Sequence, residues 1–184
     1  MRKIVSTLFI SLDGVVEAPD QWSLSYWNEE LEHAVGGGMA DADTMLLGRV
    51  TYEGFAESWP GRTAADDPGA EFMNNVRKYV ASTTLTSVEW QNSTLLEGDL
   101  AAALAGLKAG EGGDIMTSGS TTLVRWLLAE GLVDELTLLQ YPVVVGCGRR
   151  LFPVEGPSFA FELARSKAFG NGVVQLVYRP AEDL

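Results

Sequence analysis

Asp114-Ile115-Met116-Thr117-Ser118-Gly119-Ser120-Thr121-Thr122-Leu123 reads as a short strand that delivers a small-residue turn directly to the start of a helix. From Thr121 onward, Leu123, Val124, Leu127 and Leu128 recur at helical spacing, and Gly131 stands where a glycine closes a helix. The first N–H groups of such a helix lack intrahelical partners and lie at the positive end of its dipole, so the turn is a candidate anion site. Gly119 would let a pyrophosphate approach the backbone, and Ser120, Thr121 and Thr122 offer hydroxyls. An ordinary capped helix gives the same pattern, because Ser and Thr are favoured N-caps. The stretch lacks both the lysine of a Walker loop and the three glycines of a dinucleotide fingerprint.

Two further strand ends resemble it. Residues 44–47 form an apolar strand followed by Gly48-Arg49-Val50-Thr51 and a helical pattern through Tyr52 and Phe55. Arg49 could meet a phosphate bidentately and Thr51 could cap the helix, although a surface arginine beside a capped helix reads the same way. Residues 78–83 end on the hydroxyls of Ser82 and Thr83. Residues 3–12 are a buried strand that stops at Asp13-Gly14. A helix is expected over 27–35, ended or weakened by Gly36-Gly37-Gly38, with a strand at 89–91, a helix at 100–108 and closing strands at 135–141 and 173–178. Strands alternate with helices and then follow one another. This predicts an α/β fold with a mainly parallel central sheet, helices on both faces and an antiparallel C-terminal edge. In open α/β sheets ligands bind beyond the carboxyl ends of the strands, so these turns should gather on one edge. No linker divides the chain, and neither half has enough strands to close a sheet, so one domain over 1–184 is expected.

Composition narrows the partners. A net charge of −12 repels phosphate backbones and anionic lipid, so neither nucleic acid nor membrane is an expected partner. Cys147 and His33 are each the only residue of their type, which excludes an intrachain disulfide and leaves no metal-ligand spacing. A reducing, cytoplasmic setting follows as the expectation. The basic and then apolar first segment is interrupted by Asp13-Gly14, and no small-residue cleavage pattern follows it, so it is not expected to be a secretory signal.

The ordered set Ser11-Leu-Asp-Gly, Leu47-Gly-Arg-Val-Thr-Tyr, Ser118-Gly-Ser-Thr-Thr-Leu, Gly131-Leu-Val-Asp-Glu-Leu and Pro142-Val-Val-Val-Gly-Cys-Gly-Arg-Arg-Leu-Phe resembles the dihydrofolate-reductase-like superfamily. The branch it resembles is the one related to the reductase domain of bacterial riboflavin biosynthesis. The resemblance implies a three-layer fold that binds NADPH, often as a homodimer. It assigns the adenosine and its 2′-phosphate to Gly48, Arg49, Thr51, Ser82 and Thr83. It assigns the diphosphate to Gly119, Ser120 and Thr121, and the nicotinamide and substrate side to Asp13, Gly14 and Val15. Dihydrofolate reductases carry a Gly-Gly pair at the diphosphate turn, where this chain has Ser118-Gly119. Riboflavin-pathway reductases carry a basic substrate site after the first loop, where this chain has Glu17-Ala-Pro-Asp-Gln-Trp.

A reductase of this kind transfers hydride to a flat heterocycle, pterin-, pyrimidine- or flavin-like, and needs a proton alongside it. Asp13 and Glu30 are the candidate acids, read against a turn residue and a solvated acidic run respectively. Trp22, Tyr26 and Trp27 could stack on the substrate or serve as core or interface. The loop from Asp13 to Tyr26 contains no Lys or Arg, which argues against a phosphorylated substrate. The apolar strands 135–141 and 173–178 should form an open edge or face that a second copy covers. The competing reading is a non-catalytic ligand-binding protein of the same fold.

Overall fold

The computed structural model of the chain describes residues 1–181. Among them, strands β1 (Ile4–Ile10), β2 (Ala42–Gly48), β3 (Arg77–Ala81), β4 (Ser93–Leu95), β5 (Asp114–Thr117), β6 (Glu135–Gln140), β7 (Phe161–Ala168) and β8 (Val174–Pro180) form one sheet. Its order is β4-β3-β2-β5-β1-β6-β8-β7. β1 to β6 pair in parallel, and β8 runs antiparallel to both β6 and β7. The expected sheet, parallel with an antiparallel C-terminal edge, is therefore what the chain forms.

Five helices lie on its two faces: α1 (Glu29–Asp41), α2 (Arg49–Ser58), α3 (Ala70–Asn75), α4 (Leu100–Ala109) and α5 (Thr121–Ala129). In β1 the period-two alternation sends Ile4, Leu8 and Ile10 to one side, against Leu104 of α4 and Leu123, Val124 and Leu127 of α5. On the opposite side Met45, Leu47, Val80 and Met116 pack on Tyr52 of α2 and Met73 of α3, and Leu139 and Tyr141 pack on Leu31 of α1. Helix α5 closes as its sequence requires. Leu132 N–H donates to Leu127 C=O at 2.9 Å and Gly131 N–H to Leu128 C=O at 3.1 Å, with Gly131 at φ +64°.

Of the two outcomes expected at Gly36-Gly37-Gly38, an end or a weakening, the end does not occur: helix α1 runs on to Asp41, because its Leu31, Ala34, Val35 and Met39 pack into the core. Two further expectations need correction. Residues 89–91 are not a strand: the N–H groups of Glu89 and Trp90 both donate to the Tyr52 hydroxyl at 3.0 Å, and pairing with β3 begins only at Ser93. β7 went unforeseen because Glu162, Arg165, Ser166 and Lys167 give it the look of a loop. It covers β8, so neither 135–141 nor 173–178 is an edge. The actual margins are the three-residue β4 and the charged β7, which is bulged between Leu163 and Arg165. What remains apolar is a face: Leu138, Leu176, Tyr178 and Leu163 line up by register on one side of β6, β8 and β7, and Leu163 is 54% exposed.

Candidate functional site

The parallel strands β1, β2, β3, β5 and β6 end at one edge, and the turns singled out in the sequence meet there. Of the four longer helices, α1 and α4 carry side-chain caps: Asn28 accepts from Leu31 N–H and Asp99 from Ala102 N–H. Helices α2 and α5 carry none. Ser120 holds the N-cap position of α5 without capping it. These two bare N-termini touch each other, since a Cβ built on Gly48 would fall 3.0 Å from Ser120 Cβ, and one on Gly119 would fall 2.9 Å from Thr51 Oγ1. Gly119 sits at φ +134°, a conformation that glycine alone adopts without strain, and the peptide joining it to Ser120 is cis. Thr121, the first residue of α5, is buried.

Gly48 pairs with Ala81 in the sheet, so Ser82 and Thr83 emerge directly beside Arg49. The Ser82 hydroxyl accepts from Thr84 N–H at 3.1 Å and Leu85 N–H at 3.0 Å, shaping its own turn, and Thr83 is exposed. Arg49 projects from the first position of α2 and donates to Glu53 at 2.8 Å. Gly48, Arg49, Thr51, Ser82, Thr83, Gly119, Ser120 and Thr121 thus form one contiguous cradle of uncapped N–H groups, hydroxyls and a guanidinium, which suits a phosphorylated dinucleotide.

The other half of the edge, after β1 and β6, differs from expectation. Asp13 accepts from Ser11 Oγ at 2.7 Å, from Val145 N–H at 3.0 Å and from Gly146 N–H at 2.9 Å, and Arg150 lies 3.7 Å away. The Ser11 hydroxyl and these backbone donors hold its carboxyl down to about 2, so near neutrality it has no proton to give. Asp13 ties the β1 turn to the β6 turn instead. Gly14, at φ +81°, accepts from Leu151 N–H at 2.9 Å, and buried Val15 donates to Ser11 Oγ at 2.9 Å, so the backbone of both holds the same loop. Glu30 accepts from Gly170 N–H at 2.7 Å with Lys167 3.9 Å away, which docks it on the β7–β8 turn.

The aromatic candidates divide. Trp22 and Tyr26 stand edge-on to Tyr141 at 5.4 and 5.7 Å, with Phe9 at 5.4 Å, while Trp27 is 46% exposed and outside the cluster. Tyr141 was not picked out by sequence, although its place just past β6 could have marked it. It is fully buried among these rings, and burial raises its pKa, with the Ser23 hydroxyl acting against the shift. The argument from a loop without basic residues also falls. The Val15–Arg150 bridge brings Arg149 and Arg150 against that loop, and Glu17 accepts from Arg149 N–H at 2.9 Å. The described residues hold no cluster of three or more metal-ligating side chains, and none of their helices is long and apolar enough to cross a membrane.

The sequence model of the RibD C-terminal domain matches residues 2–175. The chain belongs to that family. Among its relatives are two uncharacterized Bacillus subtilis proteins. YyaP is 27% identical, the match covering 96% of this chain and 94% of YyaP, and YwjB is 30% identical, covering 96% and 97%. Solved structures share the fold. Acinetobacter baumannii RibD matches 98% of this chain with 58% of its own, at TM-score 0.71 and 17% identity. Dihydrofolate reductase from Enterococcus faecalis, solved with NADP(H), matches 98% of this chain with 97% of its own, at TM-score 0.66 and 12% identity. The RibD C-terminal fold is therefore the frame on which the cradle and the aromatic cluster sit.

Proposed function

We propose that this RibD C-terminal domain protein is an NADPH-dependent reductase of a small flat heterocycle, pterin-, pyrimidine- or flavin-like. The observation that carries the reading is the pair of bare helix N-termini meeting at Gly48 and Ser120 with Arg49 beside them. Gly119, Ser120 and Thr121 would hold the diphosphate, and Arg49, Thr51, Ser82 and Thr83 the 2′-phosphate. When bound, NADPH supplies a hydride. The chain's own part is to fix the β1 and β6 turns through Asp13 and to present the apolar surface around Phe9, Trp22 and Tyr26 to a planar ring. A reducing cytoplasm, where reduced nicotinamide is abundant, suits this activity.

The test is a binding titration with NADPH and NADH, followed by a screen of heterocycles for loss of the reduced-nicotinamide absorbance. NADPH should bind about tenfold to a hundredfold tighter, the worth of a charge-assisted contact to the 2′-phosphate. Equal affinities would remove Arg49 from that role. The second reading, a ligand-binding protein without turnover, draws on one observation: the carboxylates of Asp13 and Glu30 are both taken up by backbone N–H groups of neighbouring turns. Tight NADPH binding with no oxidation across the screen would favour it.

The same proposal includes a homodimer closed over Leu138, Leu176, Tyr178 and Leu163, since twofold pairing is the commonest way to bury an apolar face. Sedimentation should give a dimer at micromolar concentration, and Leu176→Glu a monomer. A monomeric wild-type chain would refute it.

A further inference from the structure

We infer that Glu53 sets how strongly the site discriminates between phosphorylated and unphosphorylated nicotinamide cofactors, an inference that rests on the reductase reading above. Arg49 is the first residue of α2, where the helix dipole disfavours a cation, and no acidic residue in the first turn offsets it. Its one ionic partner among the described residues is Glu53, a turn further on, with Nη1 to Oε2 at 2.8 Å. Both side chains are nearly half exposed, 45% and 47%, so the contact is made and broken in solvent.

The consequence is competition. A phosphate that takes Arg49 must displace the Glu53 carboxylate, and the carboxylate then remains within a side chain's reach of a dianion. Both effects weaken binding of the 2′-phosphorylated cofactor and leave the unphosphorylated one untouched. Arg49 is the only ionic partner of Glu53 among the described residues, so its effect falls on the group by which NADPH and NADH differ. Glu53 is a specificity residue that holds the preference for NADPH below what Arg49 alone would give.

The experiment measures dissociation constants of NADPH and NADH for the wild-type chain, Glu53→Gln, Glu53→Ala, Arg49→Ala and the Arg49→Ala/Glu53→Gln double variant. Circular dichroism confirms that each is folded. Glu53→Gln and Glu53→Ala should each bind NADPH about threefold to tenfold tighter, with NADH unchanged and the gain shrinking as salt is raised. In the Arg49→Ala background the gain should be smaller, because there is no pair left to break. An unchanged or lowered NADPH-to-NADH preference in both Glu53 variants would overturn the inference while leaving the reductase reading intact. A wild-type chain that binds neither cofactor would overturn both.

Discussion

Gly48 and Ser120, the last residue of β2 and the residue before α5, are in backbone-to-side-chain contact: a Cβ on the glycine would lie 3.0 Å from the serine Cβ and 3.3 Å from its nitrogen. Gly48→Ala must therefore push the α5 terminus away. We expect it to weaken NADPH binding at least tenfold while melting only slightly earlier, and Gly48→Ala/Ser120→Gly to recover part of the affinity. Undiminished binding by Gly48→Ala would show that the two termini need not touch. Gly119→Val is a less selective probe. At φ +134° any side chain is strained, so it should lower the melting temperature along with the affinity.

Asp13 offers a pH signature. Its folded pKa of about 2 lies below the ordinary 3.8, so the folded chain binds fewer protons there than the unfolded one. The stability it contributes is present above about pH 4 and is lost as pH falls through 2. The difference in unfolding free energy between the wild-type chain and Asp13→Ala should be flat from pH 7 to about 4.5 and shrink below that. Were Asp13 the proton donor instead, the pH–rate profile of Asp13→Ala would lose a limb, and we expect its shape to be kept.

Lys78 is fully buried, with no carboxylate partner among the described residues. Its ammonium donates to the carbonyls of Asn74 at 3.3 Å, Val76 at 3.0 Å and Gln91 at 3.1 Å, over the Trp90 ring at 4.1 Å. Burial pushes its pKa down from 10.5 to about 8. Between these values the unfolded chain binds the extra proton, so this group's contribution to stability rises with pH from about 8 to 10. Lys78→Met should abolish that rise in a urea series run at pH 7 to 10. It should also cost about 2 to 4 kcal/mol at pH 7, because three carbonyls lose their donor.

Gly36, Gly37 and Gly38 lie inside α1, and a Cβ on any of them meets nothing within 4 Å. Gly37→Ala should raise unfolding stability by about 0.5 to 1 kcal/mol, the ordinary helical difference between the two residues. A destabilised Gly37→Ala would mean that the exposed backbone there has a neighbour in the assembled protein.

The sequence was most legible where local pattern and tertiary role agree. The 114–123 stretch showed its strand because Ile115 and Met116 are a short apolar run buried on both faces, and the start of its helix because Leu123 opens a series continued by Val124, Leu127 and Leu128 at helical spacing. It was least legible where residues face water or pair at long range. β7 shows no alternation because nearly all of it is exposed, and Ser93–Leu95 is too short to show any. The cradle could be read because each of its turns is a contiguous motif. The fate of Asp13 could not, since its partners Val145, Gly146 and Arg150 lie more than 130 positions away. The Arg49–Glu53 pair was readable in principle from its i,i+4 spacing.

The margins of the sheet govern how copies of this chain can accumulate. β4 is too short to template another strand, and β7 presents Glu162, Arg165 and Lys167 along a bulged edge, so ribbon growth by backbone pairing is blocked at both ends. The proposed homodimer, by contrast, would use up its apolar face once two copies had met. A destabilised variant that loses β7 first would uncover β8, whose Val174, Leu176 and Val177 make an aggregation-prone rim, and precipitation should then track fraying of the C-terminal hairpin rather than global melting.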